Sequence, residues 1–267
     1  MEILSPAKIN LMLRILGTRE DGYHLLQTYF QLLNWGDMMN FTELAADKVI
    51  IEGEFRGLAT KDNLIYKAAQ LLIPLRNQQH GVKIEVTKNI PQGSGLGGGS
   101  SNAATALIAL NKIWQCQLSQ EQLQQLALKL GADVPVFVLQ KSAMATGIGE
   151  QLTAYTISNY HYVLIFPKTS ISTADVFADK NLNRSQLPIE LQNIKDKNTW
   201  TNACLAVVLT HYPEVRHIYN RCSVHEKIYL SGTGSTLFAC FKDENSADNF
   251  IAQHANIAQM IKCRAKC

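Results

Sequence analysis

The chain has 267 residues, of which 46% are hydrophobic and 18% are charged, and its formal net charge is +3. This is the composition of a globular protein long enough to form one large domain or two modest ones, and it argues against disorder. The weak positive charge excludes the strong electrostatic footprint of a nucleic-acid-binding protein, so we expect no nucleic-acid partner.

No apolar run reaches the ~18 to 20 residues that a membrane-spanning helix requires. The first residues lack a basic stretch followed by an apolar one, so we expect no targeting segment, no membrane partner and a cytoplasmic location. Six cysteines are scattered along the chain without a CxxC pair. Their low density favours buried thiols in a reducing compartment over a disulfide scaffold or a zinc site.

In the first half of the chain, apolar residues alternate or recur at helical spacing. The alternation predicts strands at residues 9–15, 29–33, 49–52 and 82–86. Asp62 is expected to cap a helix that Pro74 ends or kinks. A longer helix is expected over about residues 100–114, and Ser119 with Gln122 forms a capping box for the next one.

Beyond about residue 155 the composition and the apolar pattern of the sequence change. A strand is predicted at residues 162–166, followed to about residue 198 by a stretch rich in Ser, Thr and Asn. The remaining predicted elements are helices at 201–211 and 213–222, a hairpin with strands at 228–230 and 237–241, and a closing helix at 244–255. Because strands and helices mix without regular alternation, we predict an α+β fold, with domains at residues 1–155 and 156–267.

The most informative segment is the glycine-rich loop, residues 91–101, with the sequence PQGSGLGGGSS. Five of the seven residues 93–99 are glycine, and a predicted helix follows at once. Glycines let successive backbone N–H groups form a nest for anionic oxygens, and a helix N-terminus adds unpaired donors. The loop therefore favours a nucleotide polyphosphate over a flexible linker, since a linker does not run directly into an amphipathic helix.

Two familiar nucleotide motifs do not fit this loop. A P-loop requires a lysine after the last glycine, and none follows Gly99. Gly93, Gly95 and Gly98 match the dinucleotide fingerprint formally, but they do not directly follow a strand. The acidic residue expected at a strand end about 20 residues later would fall in a predicted helix. A nicotinamide cofactor is therefore not expected.

Two charged residues are candidates for chemistry. Lys8 and Asn10 lie two apart on the first predicted strand and so project from the same face. A lysine on a strand is ordinarily a solvated surface group, and that alternative remains open. Asp133 precedes Val134 and Pro135, which is typical of a helix N-cap, and a cap is compatible with a catalytic role.

Five segments occur together along the chain: SPAKINL at 5–11, DGYH at 21–24, the glycine-rich loop, GADVP at 131–135 and SGTGS at 231–235. In combination they resemble the GHMP kinase superfamily, over nearly the whole chain. More closely they resemble its branch that acts on a cytidine-diphosphate-linked methylerythritol in the non-mevalonate route to isoprenoid precursors. The resemblance implies an N-terminal ribosomal-protein-S5-like α/β domain and a C-terminal ferredoxin-like α+β domain, with the active site between them.

The same resemblance implies binding residues. The implied ATP-binding set is Asn63 near the adenine and, around the phosphates, Pro91, Gln92, Gly93, Ser94, Gly95, Leu96, Gly97, Gly98, Gly99, Ser100 and Ser101. Tyr23 and His24 would hold the cytosine, with Phe177 stacking on its other side. Without the family, residues 22–24 would be interpreted as a turn and residues 231–235 as a simple hairpin. Asn102 stands where many relatives carry Asp.

The implied reaction is transfer of the γ-phosphoryl group of ATP, with Mg²⁺, to a hydroxyl of the substrate, which gives the 2-phosphate and ADP. Lys8, Asn10 and Asp133 would surround that hydroxyl, with Asp133 accepting its proton and Lys8 offsetting negative charge. The sequence does not identify protein ligands of Mg²⁺. Two alternatives stay open: another small-molecule GHMP kinase, of the homoserine or mevalonate type, and a catalytically inactive nucleotide-binding sensor. A monomer or weak homodimer is expected.

Overall fold

The computed structural model describes residues 1–20, 22–55, 57–157 and 159–266. Asp21 of the DGYH segment lies outside the described residues. The chain divides into two compact units. Unit 1 comprises Met1–Ala7, Trp35–Pro91 and Gly97–Gln140, and unit 2 comprises Lys8–Asn34, Gln92–Leu96 and Lys141–Cys267. The domain boundary at residues 155/156 stays a prediction.

Strands and helices are mixed along the chain, which confirms the predicted α+β class. The strands are β1 (Glu2–Thr18), β2 (His24–Leu44), β3 (Val49–Gly53), β4 (Gly81–Thr87), β5 (Ala143–Thr146), β6 (Gln151–Ala154), β7 (His161–Phe166), β8 (Tyr229–Leu230), β9 (Leu237–Phe241) and β10 (Gln259–Arg264). The helices are α1 (Leu64–Leu72), α2 (Gly98–Ile113), α3 (Gln120–Leu128), α4 (Val134–Leu139), α5 (Thr173–Ala178), α6 (Leu205–His211), α7 (Pro213–Cys222) and α8 (Glu244–His254). None of the described helices is long and apolar enough to cross a membrane.

The first two predicted strands lie within much longer ones, β1 and β2. Every residue from 5 to 13 of β1 is buried, so both faces of the strand are covered there. Alternation is typical of a strand with one solvated face, and a strand covered on both faces need not show it along its whole length. Ser5 is polar but fully buried, so the sequence did not indicate that the strand extends through it.

Unit 1 is built on the C-terminal part of β2. Residues 38–44 of β2 pair antiparallel with β4, and β3 pairs parallel with β4. Helices α1 and α2 pack against each other. Asn63, not the predicted Asp62, is the N-cap of α1, because its side chain accepts a hydrogen bond from the Ile65 N–H at 2.9 Å. The helix ends at Leu72, and Pro74 lies in the 3₁₀ turn that follows, as predicted.

Unit 2 contains a four-stranded sheet in the order β10-β7-β9-β8. Its β10 strand pairs antiparallel with β7, so α8 is not the closing element that the sequence predicted. The short strands β5 and β6 and the helix α5 were also missed. Each has six residues or fewer, too few for a period to be recognised.

Gly36 of β2 allows a close backbone approach to β1. A Cβ atom at this position would lie 2.8 Å from the Cα of Pro6 and 2.9 Å from the carbonyl carbon of Ser5. We expect Gly36→Ala to lower the free energy of unfolding by about 2 kcal/mol or more, because backbone cannot yield as a flexible side chain can. Chemical denaturation measures the change.

Gly17→Ala is the matched control on β1. The nearest atom to a Cβ there is the Cδ1 of Leu25, at 3.9 Å. We expect a change within about 0.5 kcal/mol. Equal effects of the two substitutions would contradict the close approach at Gly36.

Candidate active site

Lys8 and Asn10 form a buried polar pair on β1, within unit 2. Lys8 is 3% exposed and Asn10 is 4% exposed, so Lys8 is not the solvated surface group that the open alternative described. The Lys8 Nζ donates to the Asn10 Oδ1 at 2.6 Å and to the carbonyl oxygen of Gly95 at 3.0 Å. The Asn10 Nδ2 donates to the Thr28 hydroxyl at 2.8 Å, which fixes the amide that faces the ammonium group.

The glycine-rich loop has a regular backbone alternation. Gly93, Gly95 and Gly97 have φ values of 68°, 77° and 73°, with Ser94 and Leu96 between them. Left-handed residues in such an alternation turn neighbouring N–H groups toward one side, which is the geometry of an anion-binding nest. At Gly95 close packing also requires glycine, because a Cβ there would lie 2.7 Å from the carbonyl oxygen of Gly234.

The loop continues into α2, which starts at Gly98 rather than near Ser100. The first helical hydrogen bond runs from the Ser101 N–H to the Gly97 carbonyl at 2.8 Å. By the geometry of an α-helix, the N–H groups just before it have no acceptor within the helix, and the dipole makes this end positive. The start of α2 therefore has the donor arrangement that anionic oxygens require.

Ser100 and Ser101 differ in their surroundings. Ser101 is fully buried, and its hydroxyl oxygen accepts a hydrogen bond from the Ser5 hydroxyl at 2.8 Å. Ser100 is partly exposed in the first turn of α2. Of the two hydroxyls, that of Ser100 is therefore the one available to a ligand.

The predicted hairpin turn between β8 and β9 packs against the loop and the Lys8 side chain. The Ser231 hydroxyl donates to the carbonyl oxygen of Gly95 at 3.0 Å, and it accepts the Asn10 N–H at 3.3 Å. A Cβ at Gly232 would lie 3.6 Å from the Lys8 Nζ. Unit 2 thus brings together three of the predicted elements: the Lys8–Asn10 pair, part of the glycine-rich loop and the turn between β8 and β9.

Asn202 is a site residue that the sequence analysis missed. Its Nδ2 donates to the carbonyl oxygens of Leu230 and Gly232, both at 2.8 Å, and its Oδ1 accepts the Cys204 N–H at 2.8 Å. The Asn202 amide therefore connects the turn between β8 and β9 to the segment that precedes α6. The available signal was an Asn at the predicted start of a helix, which is a capping signal and gives no information about the turn.

Asp133 occupies the N-cap position of α4, with Pro135 in the first turn, as predicted. Among the described residues of that turn, none donates a capping hydrogen bond to the Asp133 side chain. The residue is partly exposed and belongs to unit 1. The Asp133 side chain is therefore at the N-terminal end of α4 without a capping hydrogen bond to that turn. The side chain of Asn63, by contrast, is 6% exposed and caps α1.

His24 and Phe177 form an aromatic pair in unit 2, with ring centroids 5.1 Å apart and planes inclined by 37°. The His24 Nε2 lies 3.3 Å from the Phe177 carbonyl oxygen, and a carbonyl can only accept, so this nitrogen carries the hydrogen. In the neutral ring, Nδ1 then accepts from the Thr18 hydroxyl at 3.3 Å. The two rings leave no space for a third ring between them. Tyr23, the preceding residue, is 61% exposed.

Phe177 lies on α5, and Arg184 fixes the end of that helix. The guanidinium Nη2 of Arg184 donates to the carbonyl oxygens of Phe177 at 2.7 Å and Asp179 at 2.9 Å. Hydrogen bonds from the Asn181 backbone N–H and from nearby His211 hold the pKa of Asp179 below its usual value. No sequence pattern pointed to Arg184, because its partners are carbonyl groups that any residue supplies.

Two family models match the chain. The model of the GHMP kinases N terminal domain matches residues 63–141, and the model of the GHMP kinases C terminal domain matches residues 187–257. These matches agree with the resemblance seen in the sequence segments.

Relatives of high similarity extend over nearly the full length. A 4-diphosphocytidyl-2-C-methyl-D-erythritol kinase of Marinomonas sp. (strain MWYL1) is 43% identical over 265 residues, which cover 99% of this chain and 87% of that protein. The kinase of the same name from Pasteurella multocida (strain Pm70) is 43% identical over 272 residues, covering 98% of this chain and 92% of that protein.

Solved structures show the same fold. A crystal structure of 4-(cytidine 5'-diphospho)-2C-methyl-D-erythritol kinase has a TM-score of 0.86 at 28% identity and covers 100% of both chains. The Methanococcus jannaschii mevalonate kinase has a TM-score of 0.70 at 13% identity, covering 100% of this chain and 98% of that one, and so shares the fold. The chain belongs to the 4-diphosphocytidyl-2-C-methyl-D-erythritol kinase family of the GHMP kinases.

Proposed function

We propose that this chain transfers the γ-phosphoryl group of ATP to a hydroxyl of 4-diphosphocytidyl-2-C-methyl-D-erythritol, giving the 2-phosphate and ADP. The observation that carries the proposal is the glycine-rich loop, whose Gly95 carbonyl accepts from the buried Lys8 ammonium group. The 43% sequence identity to a kinase of that name, over 99% of this chain, supports the substrate class. The cytoplasmic location and the monomeric or weakly dimeric state stay predictions.

The glycine-rich loop is the proposed ATP site. A GHMP kinase uses ATP, and the nest at residues 93–97 with the start of α2 offers main-chain donors to its phosphates. Asn63 is proposed near the adenine. Because its side-chain oxygen already caps α1, only its amide nitrogen remains to meet a base.

Catalysis is proposed to rest on Asp133 and Lys8. Phosphoryl transfer depends on positioning of the reactants and neutralisation of phosphate charge more than on covalent catalysis by the protein. Asp133 would accept the proton of the attacking hydroxyl, and Lys8 would offset the charge that develops on that oxygen. Asn10 would orient the Lys8 ammonium group, since its Oδ1 is an acceptor only 2.6 Å away.

Mg²⁺ is the proposed companion of ATP. Such an ion takes most of its ligands from phosphate oxygens and water, with one or two from the protein, and it neutralises phosphate charge. Among the described residues, no group of three or more His, Cys, Asp or Glu side chains could hold a metal ion. The N–H groups of the loop would bind the phosphates, and the phosphates would hold the ion. The Ser100 hydroxyl is the proposed protein ligand.

The cytosine is proposed to bind at Tyr23, His24 and Phe177. Since the His24 and Phe177 rings touch each other, the base would stack on a free face of Phe177 with Tyr23 on its other side. Base stacking on an aromatic face contributes about 1–3 kcal/mol per base. His24 would then border the base rather than stack on it.

A coupled assay of ADP release tests the substrate class. We expect turnover with ATP and the cytidylylated methylerythritol, because Tyr23, His24 and Phe177 are proposed to bind the cytosine. We expect little turnover with homoserine or mevalonate. Turnover with one of those two alone would assign another GHMP kinase activity. ATP binding without turnover on any of the three would support the inactive sensor and contradict the proposal.

Asp133→Asn should lower kcat by about 100-fold or more, because an amide cannot accept the hydroxyl proton. The variant should still fold, since Asn suits the N-cap position of a helix as well as Asp does. Steady-state kinetics and thermal denaturation measure both effects.

Asp243→Asn is the matched control, because Asp243 caps α8 through the Ser246 N–H at 2.8 Å and Asn is an equally good cap. Its kcat should equal that of the unmodified chain. A folded Asp133→Asn variant with near-normal turnover would remove Asp133 from the proposed mechanism.

Lys8→Met should lower kcat by about 100-fold or more while the side-chain stem still fills its space. The loss follows because the ammonium group both binds the Gly95 carbonyl and supplies the positive charge. Lys262→Met, which removes a partly exposed lysine bound to Glu244 and Asp248, is the control and should not change kcat. An unchanged kcat in the folded Lys8→Met variant would exclude Lys8 from the reaction.

A further inference from the structure

Unit 1 contains a fully buried carboxylate that the proposed mechanism does not use. Asp37 lies on β2 with 0% exposure. Its Oδ1 accepts the backbone N–H groups of Asn89 at 2.7 Å and Ile90 at 2.8 Å. Its Oδ2 accepts from the Lys88 ammonium group and from the Asn102 amide, the latter at 3.0 Å. Four donors therefore surround one carboxylate.

These four donors all border the glycine-rich loop. Lys88, Asn89 and Ile90 directly precede its first residue, and Asn102 directly follows its last. The Lys88 ammonium group also donates to the Asn102 Oδ1 at 2.9 Å, which closes a triangle of side chains. The Asn102 Nδ2 donates further to the buried Ser5 hydroxyl at 2.9 Å. One carboxylate thus holds the two stems of the loop together.

Packing alone does not account for a charge at this place. Removing the Asp37 carboxylate from water, and the Lys88 ammonium group partly so, costs free energy, and a well-packed apolar pair often stabilises a fold equally well. What an apolar pair cannot do is direct two backbone N–H groups, an ammonium group and an amide toward one point. The arrangement therefore fixes the geometry of the stems.

The geometry of the stems matters because the loop between them is rich in glycine. Glycine loses the most conformational freedom on ordering, so a loop with loose stems would lose binding energy when it closes on a ligand. We infer that Asp37, through Lys88 and Asn102, is a positioning residue that holds the glycine-rich loop ready for the phosphates of ATP. This inference rests on the proposed ATP site.

Asp37→Asn tests the inference with a substituent of the same shape. Its oxygen can still accept from Asn89 and Ile90, but its NH₂ group then faces two donors, Lys88 and Asn102. We expect the KM for ATP to rise about tenfold or more, as for the loss of a hydrogen bond to a charged group. The KM for the acceptor should stay within about twofold. Calorimetric titration with ADP should show the same loss of affinity.

The double variant Asp37→Asn/Asn102→Asp is the rescue. It returns a carboxylate to the Lys88 ammonium group and leaves an amide as its neighbour, so the KM for ATP should recover to within about threefold. A double variant that melts like the unmodified chain but keeps the high KM would overturn the inference. Asp47→Asn is the control, because Asp47 forms an exposed ion pair with Arg76 at 2.7 Å in the same unit. Its KM for ATP should not change.

Asn102→Ala covers the case in which Asp37→Asn does not fold. It removes only the connection to the helix side of the loop and should raise the KM for ATP by about threefold or more. A lower melting temperature with an unchanged KM for ATP, or an equal rise in both KM values, would show a merely structural pair and overturn the inference. If the unmodified chain does not phosphorylate with ATP at all, the proposed function fails instead.

Discussion

The carbonyl oxygen of Gly95 is the acceptor on which the candidate active site depends. It receives the Lys8 ammonium group and the Ser231 hydroxyl, each at 3.0 Å. A loop with so many glycines has a large conformational entropy, and hydrogen bonds from donors fixed on ordered elements are what restrict it. Lys8 is fixed on β1 and Ser231 directly follows β8, so both donors meet this requirement.

The same interaction gives Lys8 its physical character. Lys8 is only 3% exposed, and its ammonium group donates to the oxygens of Asn10 and Gly95. In such surroundings the electrostatic attraction of a cation for an anionic oxygen is stronger than in water. A buried lysine held by a glycine-rich loop therefore suits the neutralisation of phosphate charge better than a lysine at the surface would.

Local chemistry made part of the molecule predictable. The Ser119–Gln122 capping box, the helix break at Pro74 and the hairpin before β9 each follow from a few neighbouring residues, and the structure has all three. Elements whose reason lies elsewhere in the chain were missed. The β10 strand is defined by its pairing with β7, and residues 5–13 of β1 are covered on both faces by other parts of the chain.

The same distinction applies to the site. The anion-binding character of the glycine-rich loop could be predicted, because glycine content and a following helix are local features. Lys8 and Asp133 were distinguished only by the resemblance to a family, since a strand lysine and a capping aspartate are common. Asp37, Arg184 and Asn202 escaped notice because each acts through partners that are distant in sequence or are backbone groups. Asp37 and Asn102 are 65 positions apart, and no periodicity connects such residues. Polar residues that fix a loop are thus the part of a site that sequence patterns conceal, because their role depends on the assembled fold.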